Sequence, residues 1–294
     1  MKSLKSPTTF IAHESHISDV KFSLDGQTLL TAGMDNYVKM WSVPDWALTR
    51  VLSGHKKSVN NLNLTADGTR VITASSDKTI RIWNLDIGSQ IRQIVGVKGS
   101  RALLSPDDSC LAVVSNPWLT IVKLDEDDAC ERIKPFPKRT TALAFSPTQH
   151  HLAVGGQGDD ILIYNYQEIR QVHGIIGAHE GYVLSLSFSP DGKRLASVGY
   201  EKQLCFWDHA TWVMLGSVYL ENQGVQSLTY SPSGGHLAIA SDHRITIIDT
   251  RSMMIDQIVD LRPKGVYCLA FSPGGRWLAC GAADKRIRVW AFPR

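Results

Sequence analysis

The chain has 294 residues, 43% hydrophobic and 8% aromatic, so it can bury a core and is not expected to be disordered. Its 31 basic and 28 acidic residues nearly balance, which argues against a general nucleic-acid binder with a concentrated basic face. Its five cysteines form no CxxC pair, so we expect a reducing compartment and neither a disulfide framework nor a metal site. No apolar run has the length of a signal peptide or a membrane span. We therefore expect a soluble, cytoplasmic protein, or a nuclear one if the source is eukaryotic.

An internal repeat runs along almost the whole chain. Equivalent positions recur at intervals of 42, 39, 42, 43, 41 and 42 residues, and a Gly- or Asp-containing turn keeps nearly the same interval. In chain order the equivalent positions are Trp41, Trp83, Val122, Tyr164, Trp207, Ile248 and Trp290. Periods of about 40–45 residues made of short strands are typical of radial arrays of four-stranded blades.

The second copy shows most clearly how one repeat is built. Residues 59–64 alternate apolar and polar side chains, and Ala66-Asp67-Gly68 then turns the chain. Residues 71–74 run back, residues 79–83 return again, and residues 90–96 supply a fourth stretch. A two-residue period bounded by Gly, Asp and Ser clusters indicates short antiparallel strands.

These copies predict the fold class. We expect an all-β protein, with residues 1–294 forming a single seven-bladed propeller of four-stranded antiparallel blades, because such units bury both faces only by stacking in a closed ring. The last copy ends near the C-terminus without an outer strand, whereas an unpaired strand-like stretch, Thr8 to Ala12, precedes the first copy. The N-terminal stretch is therefore predicted to complete blade 7 and close the ring.

The repeats resemble those of the WD40 family. Gly54-His55, Asp77 and Ile82-Trp83-Asn84 stand where that family has its Gly-His, its turn Asp and its Trp-Asp, and the resemblance covers about residues 8–291. It implies a hydrogen-bonded tetrad of His, Ser or Thr, Asp and Trp in each well-kept blade. The implied tetrads are His13, Thr31, Asp35 and Trp41; His55, Thr73, Asp77 and Trp83; and His179, Ser197, Glu201 and Trp207.

Not every copy keeps the tetrad. Blade 7 has Asp284 and Trp290, but Cys280 stands at the hydroxyl position and Arg262 replaces the His. Blades 3, 4 and 6 depart further from the tetrad. Blades 3 and 4 are each expected to be held mainly by apolar packing.

The resemblance also implies where a partner would bind. The family's frequent contact positions on the top face of the ring are the third and fifth residues after the tetrad His and the residue before the tetrad Asp. On blades 4, 5, 6, 7 and 1 these positions predict a partner-binding set of Arg139, Tyr182, Leu184, Tyr200, Gln226, Tyr267, His16 and Met34. An aromatic patch beside an arginine is a typical hot-spot composition and would suit an apolar anchor with an acidic group.

No catalytic constellation emerges from the sequence. The tetrads account for His13, His55 and His179, turn chemistry accounts for the carboxylates on the recurring turns, and no P-loop, GxSxG or HExxH motif is present. We therefore predict a non-enzymatic scaffold or adaptor for protein–protein interaction, without cofactor or metal, that binds proteins or peptides as a subunit of a larger complex.

Two alternative functions remain open at the level of sequence. Ile248-Asp249-Thr250-Arg251 resembles the family's adaptor-binding box with its Trp lost, which would suit a substrate receptor of a ubiquitin ligase. The other alternative is a nucleic-acid-associated subunit or a propeller that binds a small molecule in its channel.

Overall fold

A computed structural model describes residue 4 and residues 6–97, 99, 101–124, 129–221, 224–261 and 265–293. Within these ranges the regular structure consists of β-strands, arranged as seven four-stranded antiparallel sheets. The predicted all-β propeller is thus confirmed. The same ranges contain no helix with the length and apolar character needed to cross a bilayer.

The first four blades follow the chain without interruption. The first strand, β1 (Thr8–Ile11), precedes blade 1 and is not part of it. Blade 1 contains β2 (Ile17–Phe22), β3 (Thr28–Gly33), β4 (Val38–Ser42) and β5 (Leu48–Leu52). Blade 2 contains β6 (Val59–Leu64), β7 (Arg70–Ser75), β8 (Thr79–Asn84) and β9 (Gln90–Val95). Blade 3 contains β10 (Arg101–Leu104), β11 (Cys110–Ser115), β12 (Trp118–Lys123) and β13 (Cys130–Ile133). Blade 4 contains β14 (Thr140–Phe145), β15 (His151–Gly156), β16 (Ile161–Asn165) and β17 (Arg170–Ile175).

The last three blades lead back to the N-terminus. Blade 5 contains β18 (Val183–Phe188), β19 (Arg194–Gly199), β20 (Gln203–Asp208) and β21 (Met214–Tyr219). Blade 6 contains β22 (Val225–Tyr230), β23 (His236–Ser241), β24 (Arg244–Asp249) and β25 (Met254–Asp260). Blade 7 contains β26 (Val266–Phe271), β27 (Trp277–Ala282), β28 (Arg286–Ala291) and the N-terminal β1.

The turn between the first two strands of each blade has a local chemical cause. In blade 1 the Ser23 hydroxyl donates to the Asp25 carboxylate at 2.5 Å and accepts the Thr28 amide at 2.9 Å. Gly26 follows with a φ of 70°, a left-handed conformation that glycine adopts at little steric cost. Blade 2 repeats the arrangement, with Thr65 and Asp67 in the corresponding roles. The Asp-Gly signal in the sequence is therefore a turn signal.

The core lies between blades rather than within them. The described residues form seven clusters of buried apolar side chains, and each cluster joins two blades that are neighbours around the ring. The inner strands contact one another in the closed order β2, β6, β10, β14, β18, β22, β26 and back to β2. Because both faces of each sheet are covered, middle strands such as β11 are buried along nearly their whole length.

The N-terminal strand closes this ring. β1 pairs antiparallel with β28, with Thr8 opposite Val289 and Ile11 opposite Arg286, so the predicted closure is confirmed. Its Phe10 ring lies 4.8 Å from the Trp41 ring of blade 1, measured between centroids, and stacks at 6.3 Å on Trp46. The strand thus adds hydrogen bonds to blade 7 and apolar contacts to the interface between blades 7 and 1.

We expect Phe10→Ala to destabilise the propeller by about 2 kcal/mol or more, because it removes an aromatic side chain from that interface. The control is Thr9→Ala on the same strand; Thr9 is exposed, so its loss should change the free energy of unfolding by about 0.5 kcal/mol or less. Urea unfolding of both variants measures the difference. Equal stability of the two would contradict a role for β1 in holding the ring closed.

Candidate functional site

A chain of hydrogen bonds fixes the top loops of blade 1. Trp41 Nε1 donates to Thr31 Oγ1 at 3.0 Å, Thr31 Oγ1 lies 2.8 Å from His13 Nε2, and His13 Nδ1 lies 2.9 Å from Asp35. Because a carboxylate only accepts, His13 Nδ1 donates to Asp35, and in the neutral ring Nε2 then accepts the proton of the Thr31 hydroxyl. The Asp35 carboxylate also accepts the Glu14 amide at 2.9 Å. The chain thereby connects the loop before β2 with the turn after β3.

Blades 2 and 5 contain the same arrangement. In blade 2, Thr73 lies 2.7 Å from His55 Nε2 and accepts from Trp83 at 2.9 Å, while His55 Nδ1 lies 2.9 Å from Asp77. In blade 5 the corresponding residues are Ser197, His179, Trp207 and Glu201, with the Glu in place of Asp.

The remaining blades have other solutions. Blades 3 and 4 place the buried Val113 and Val154 where blade 2 has Thr73, so apolar packing replaces the polar chain. In blade 7, Arg288 from the third strand pairs with Asp284, and Cys280 is fully buried beside them. Arg262, expected at the His position of this blade, lies outside the described residues.

Burial lowers the pKa of two tetrad histidines, and hydrogen bonding lowers the pKa of a tetrad aspartate. Burial lowers the pKa of His55 and His179 below the usual value for histidine, although Asp77 and Glu201 act against the shift. Burial by itself raises the pKa of Asp77, but hydrogen bonds from Thr79, the Lys56 amide and His55 outweigh it and hold that pKa below its ordinary value. These two histidines are therefore neutral and the aspartate charged at neutral pH.

A bulge recurs near the top of the innermost strands. The register shifts by one residue between Ile17 and Asp19 in β2, and at the equivalent place in β6, β14, β18, β22 and β26. A bulge re-aims the side chain of the extra residue. The six bulge residues, at the mouth of the central channel, are Ser18, Asn60, Thr141, Leu184, Gln226 and Tyr267.

Three bulge residues tie one blade to the next. Ser18 donates to the Val59 carbonyl of blade 2, and Thr141 donates to the Val183 carbonyl of blade 5. Asn60 Nδ2 donates to the Gly99 carbonyl of blade 3 at 2.9 Å. These side chains thus satisfy backbone groups at the free edge of the adjacent inner strand.

On blades 5, 6 and 7 the bulge residues make no such tie among the described residues. Leu184 is apolar and packs against the core cluster between blades 5 and 6. The Gln226 side chain is exposed without a hydrogen bond to another described residue. Tyr267 packs on His16 across the junction with blade 1, with ring centroids 5.8 Å apart. Leu184 is half-buried, and its role in partner binding stays a prediction.

The exposed aromatic surface belongs mainly to blade 5. The Tyr182 and Tyr200 rings lie 6.0 Å apart between centroids, and the Tyr200 amide donates to the Tyr182 carbonyl at 2.8 Å. Tyr200 is 69% exposed and Tyr182 is 41% exposed. Arg139 on the neighbouring blade 4 is exposed, and its side chain has no ion-pair or hydrogen-bond partner in the described ranges.

Blade 1 extends this surface beyond Tyr267. Met34 is 44% exposed, and its amide donates to the carbonyl of His16 at 2.9 Å. The predicted partner-binding residues therefore occupy one arc of the top face, from blade 4 through blades 5, 6 and 7 to blade 1. Leu184 belongs to this arc but packs on the core between blades 5 and 6.

Arg101 is a channel residue that the sequence reasoning missed. It stands four residues before Ser105, where blade 1 has Asp19 before Ser23 and blade 2 has Asn61 before Thr65. Its guanidinium donates to the Thr141 carbonyl of blade 4 at 3.1 Å and approaches the Gln226 carbonyl of blade 6 at 3.4 Å. Counting back from the turn hydroxyl in each repeat would have placed it in the channel.

Other sequence features have local structural roles. In Ile248-Asp249-Thr250-Arg251, the Asp249 carboxylate accepts the Arg251 and Ser252 amides and closes the turn before β25. The Thr250 hydroxyl donates to the Gly234 carbonyl at 2.6 Å. Among the described residues no group of three or more His, Cys, Asp or Glu side chains is arranged to hold a metal ion.

We expect Thr73→Val to destabilise the protein by about 1–3 kcal/mol, because the lost hydroxyl leaves His55 Nε2 and Trp83 Nε1 buried without a partner. Thr28→Val is the matched control, since no hydrogen bond of the Thr28 hydroxyl to another described residue is found. Thermal or urea unfolding measures both. A Thr73→Val protein as stable as the control would contradict a structural role for the tetrad.

The lowered pKa of His55 should make stability depend on pH. Because the folded-state pKa of His55 lies below its unfolded value of about 6.5, the unfolded chain binds more protons at lower pH. The contribution of His55 to the free energy of unfolding is therefore fully present above about pH 6.5 and is lost as the pH falls below that value. We expect the loss of unfolding free energy between pH 7.5 and 5.5 to be smaller in His55→Gln than in the wild type. An identical loss in both proteins would contradict the shift.

Comparison with known proteins identifies the family. A sequence profile described as "WD domain, G-beta repeat" matches residues 4–42, 46–84, 170–208 and 259–291, just over half of the chain. These segments contain Trp41, Trp83, Trp207 and Trp290, the four positions at which the repeat keeps its Trp.

Known relatives are similar over part of their length. The chain is 31% identical to Small ribosomal subunit protein RACK1z of Arabidopsis thaliana over 143 residues, 42% of this chain and 43% of that protein. It is 29% identical to Small ribosomal subunit protein RACK1y of Oryza sativa over 173 residues, which are 55% of this chain and 47% of that protein. It is 26% identical to human WD repeat-containing protein 36 over 155 residues, which are 52% of this chain and 17% of that protein. The matches thus span less than half the length of each relative. The seven blades and the matching profile together show that the chain belongs to the WD40 repeat family.

Proposed function

We propose that this chain is a non-catalytic scaffold or adaptor, and that residues 1–294 act as one unit that binds partner proteins through the top face. The partner would bind the arc that runs from Arg139 on blade 4 to His16 and Met34 on blade 1. Family membership supports an interaction role in general, whereas the fold alone does not specify a partner.

One observation carries this proposal. The bulge residues of blades 1, 2 and 4 are used to tie adjacent blades together, whereas those of blades 5, 6 and 7 are not tied in this way within the described residues. Blade 5, one of these three, also carries the exposed Tyr182 and Tyr200 rings. Large aromatic side chains on a rigid support are typical binding hot spots, because they supply contact area at a low cost in conformational entropy.

The chemistry of the arc suggests the kind of partner. The two tyrosines offer apolar faces and hydroxyl groups, and Arg139 offers a positive charge on the neighbouring blade. A partner segment with an apolar side chain and a nearby acidic group would match this surface. Two of the relatives are named as small ribosomal subunit proteins, which supports a place for this chain within a larger assembly.

Affinity capture from the source organism tests the proposal. We expect Tyr182→Ala/Tyr200→Ala to reduce capture of the specific partner about tenfold or more, because truncation of a hot-spot residue costs about 2 kcal/mol or more. Quantitative mass spectrometry compares the bound proteins.

The control is Tyr219→Ala, since Tyr219 is 65% exposed but lies on the outer strand of blade 5. Partners captured equally by the wild type and the control, and lost in the double variant, would support the top face. The same set of proteins bound by all three would count against it.

A further inference from the structure

The central channel contains a cavity of about 380 Å³ whose walls come from the inner strands of all seven blades. Two cations line it, Arg101 from blade 3 and Lys21 from blade 1, against one carboxylate, Asp19. Both Asp19 oxygens accept backbone amides, from Val20 at 2.8 Å and from Leu62 at 2.9 Å. In the described part of the chain neither cation lies within ion-pair distance of a carboxylate. Among the described residues the cavity lining therefore carries one more positive charge than negative, and neither cation is held in an ion pair.

Arg101 is oriented across the mouth of the channel. Its two terminal nitrogens approach the Thr141 and Gln226 carbonyls of blades 4 and 6, so the guanidinium spans from its own blade towards the opposite side. A guanidinium has five N–H donors, so these two contacts leave others available. Burial lowers the pKa of Arg101, with Asp19 acting against the shift, which indicates that the charge has lost part of its hydration.

Neutral donors converge on the same cavity. Ser185 and Ser227 line it from blades 5 and 6, at the position equivalent to Arg101, and their hydroxyls have no hydrogen-bond partner within the described ranges. Gln226 and Tyr267 border it at the level of the bulges. A cavity lined by a guanidinium, an ammonium and free hydroxyls stabilises negative oxygen atoms, and the planar arginine fork matches a carboxylate or a phosphate with two parallel hydrogen bonds.

We propose that the channel mouth is a binding site for an oxyanion, a carboxylate or a phosphate, with Arg101 as its principal donor and Lys21, Ser185 and Ser227 as supporting groups. The oxyanion comes either from a free small anion or from an acidic side chain that a top-face partner inserts past Gln226 and Tyr267. The site itself does not depend on the proposed scaffold function, because its donors belong to the channel wall and not to the tyrosine surface.

The test is calorimetric titration at constant ionic strength with two probes, inorganic phosphate and N-acetylaspartate amide, the latter as a model of an acidic side chain. We expect at least one probe to bind the wild type, and Arg101→Gln to weaken that binding about tenfold or more, since it removes a charge-assisted bidentate contact. Lys21→Gln should weaken it less. Preference for phosphate would identify a free anion as the source, and preference for the aspartate derivative would identify a partner side chain.

Two controls make the result specific. Arg170→Gln removes an arginine that is paired with Glu168 on the outer surface, so its affinity should equal that of the wild type. Tyr182→Ala should also leave the titration unchanged, which separates failure of the anion site from failure of the proposed top-face function. If Arg101→Gln does not fold, Lys21→Gln carries the comparison. Absence of binding by the wild type, or equal affinity in the Lys21, Arg101 and Arg170 variants, would overturn the proposal.

Discussion

Every blade of this protein is apolar on both faces, and the rest of the structure depends on that constraint. A four-stranded sheet of this kind can bury both faces only between two others, so seven sheets must meet in a ring. The seven clusters of buried side chains are the interfaces that result. The two ends of the chain meet in blade 7, where β1 pairs with β28 and Phe10 packs on Trp41 of blade 1. Closure at this point completes the last interface.

The ring leaves the inner strand edges facing the channel, where backbone groups need partners. Ser18, Asn60 and Thr141 supply them across three junctions between blades. Leu184, Gln226 and Tyr267 occupy equivalent bulges without doing so within the described residues. The bulge residues on one side of the channel mouth are thus hydrogen-bonded to the next blade, those on the other side are not within the described residues, and Arg101 reaches across between the two.

Much of this architecture could be predicted from repetition alone. The conformation of turns such as Asp25-Gly26 can be predicted from the local sequence. Glycine adopts the left-handed φ, and the aspartate carboxylate accepts a backbone amide of its own turn. The pairing of the strand near Phe10 could be predicted because the last copy lacked an outer strand. The inward packing of Leu184 could not, since it follows from a bulge and from the side chains of the next blade.

The sequence by itself determined the number of blades, the order of the strands, the closure of the ring and the residues at each repeated position. These features depend on contacts between residues within one repeat or in adjacent repeats, and the repeat period of about 42 residues allows such contacts to be predicted. Only the tertiary structure decided which equivalent residues are engaged and which are free. Arg101 illustrates the reason: its place in the repeat is local, but the carbonyls that it contacts come from blades up to 125 residues away and meet only when the ring closes.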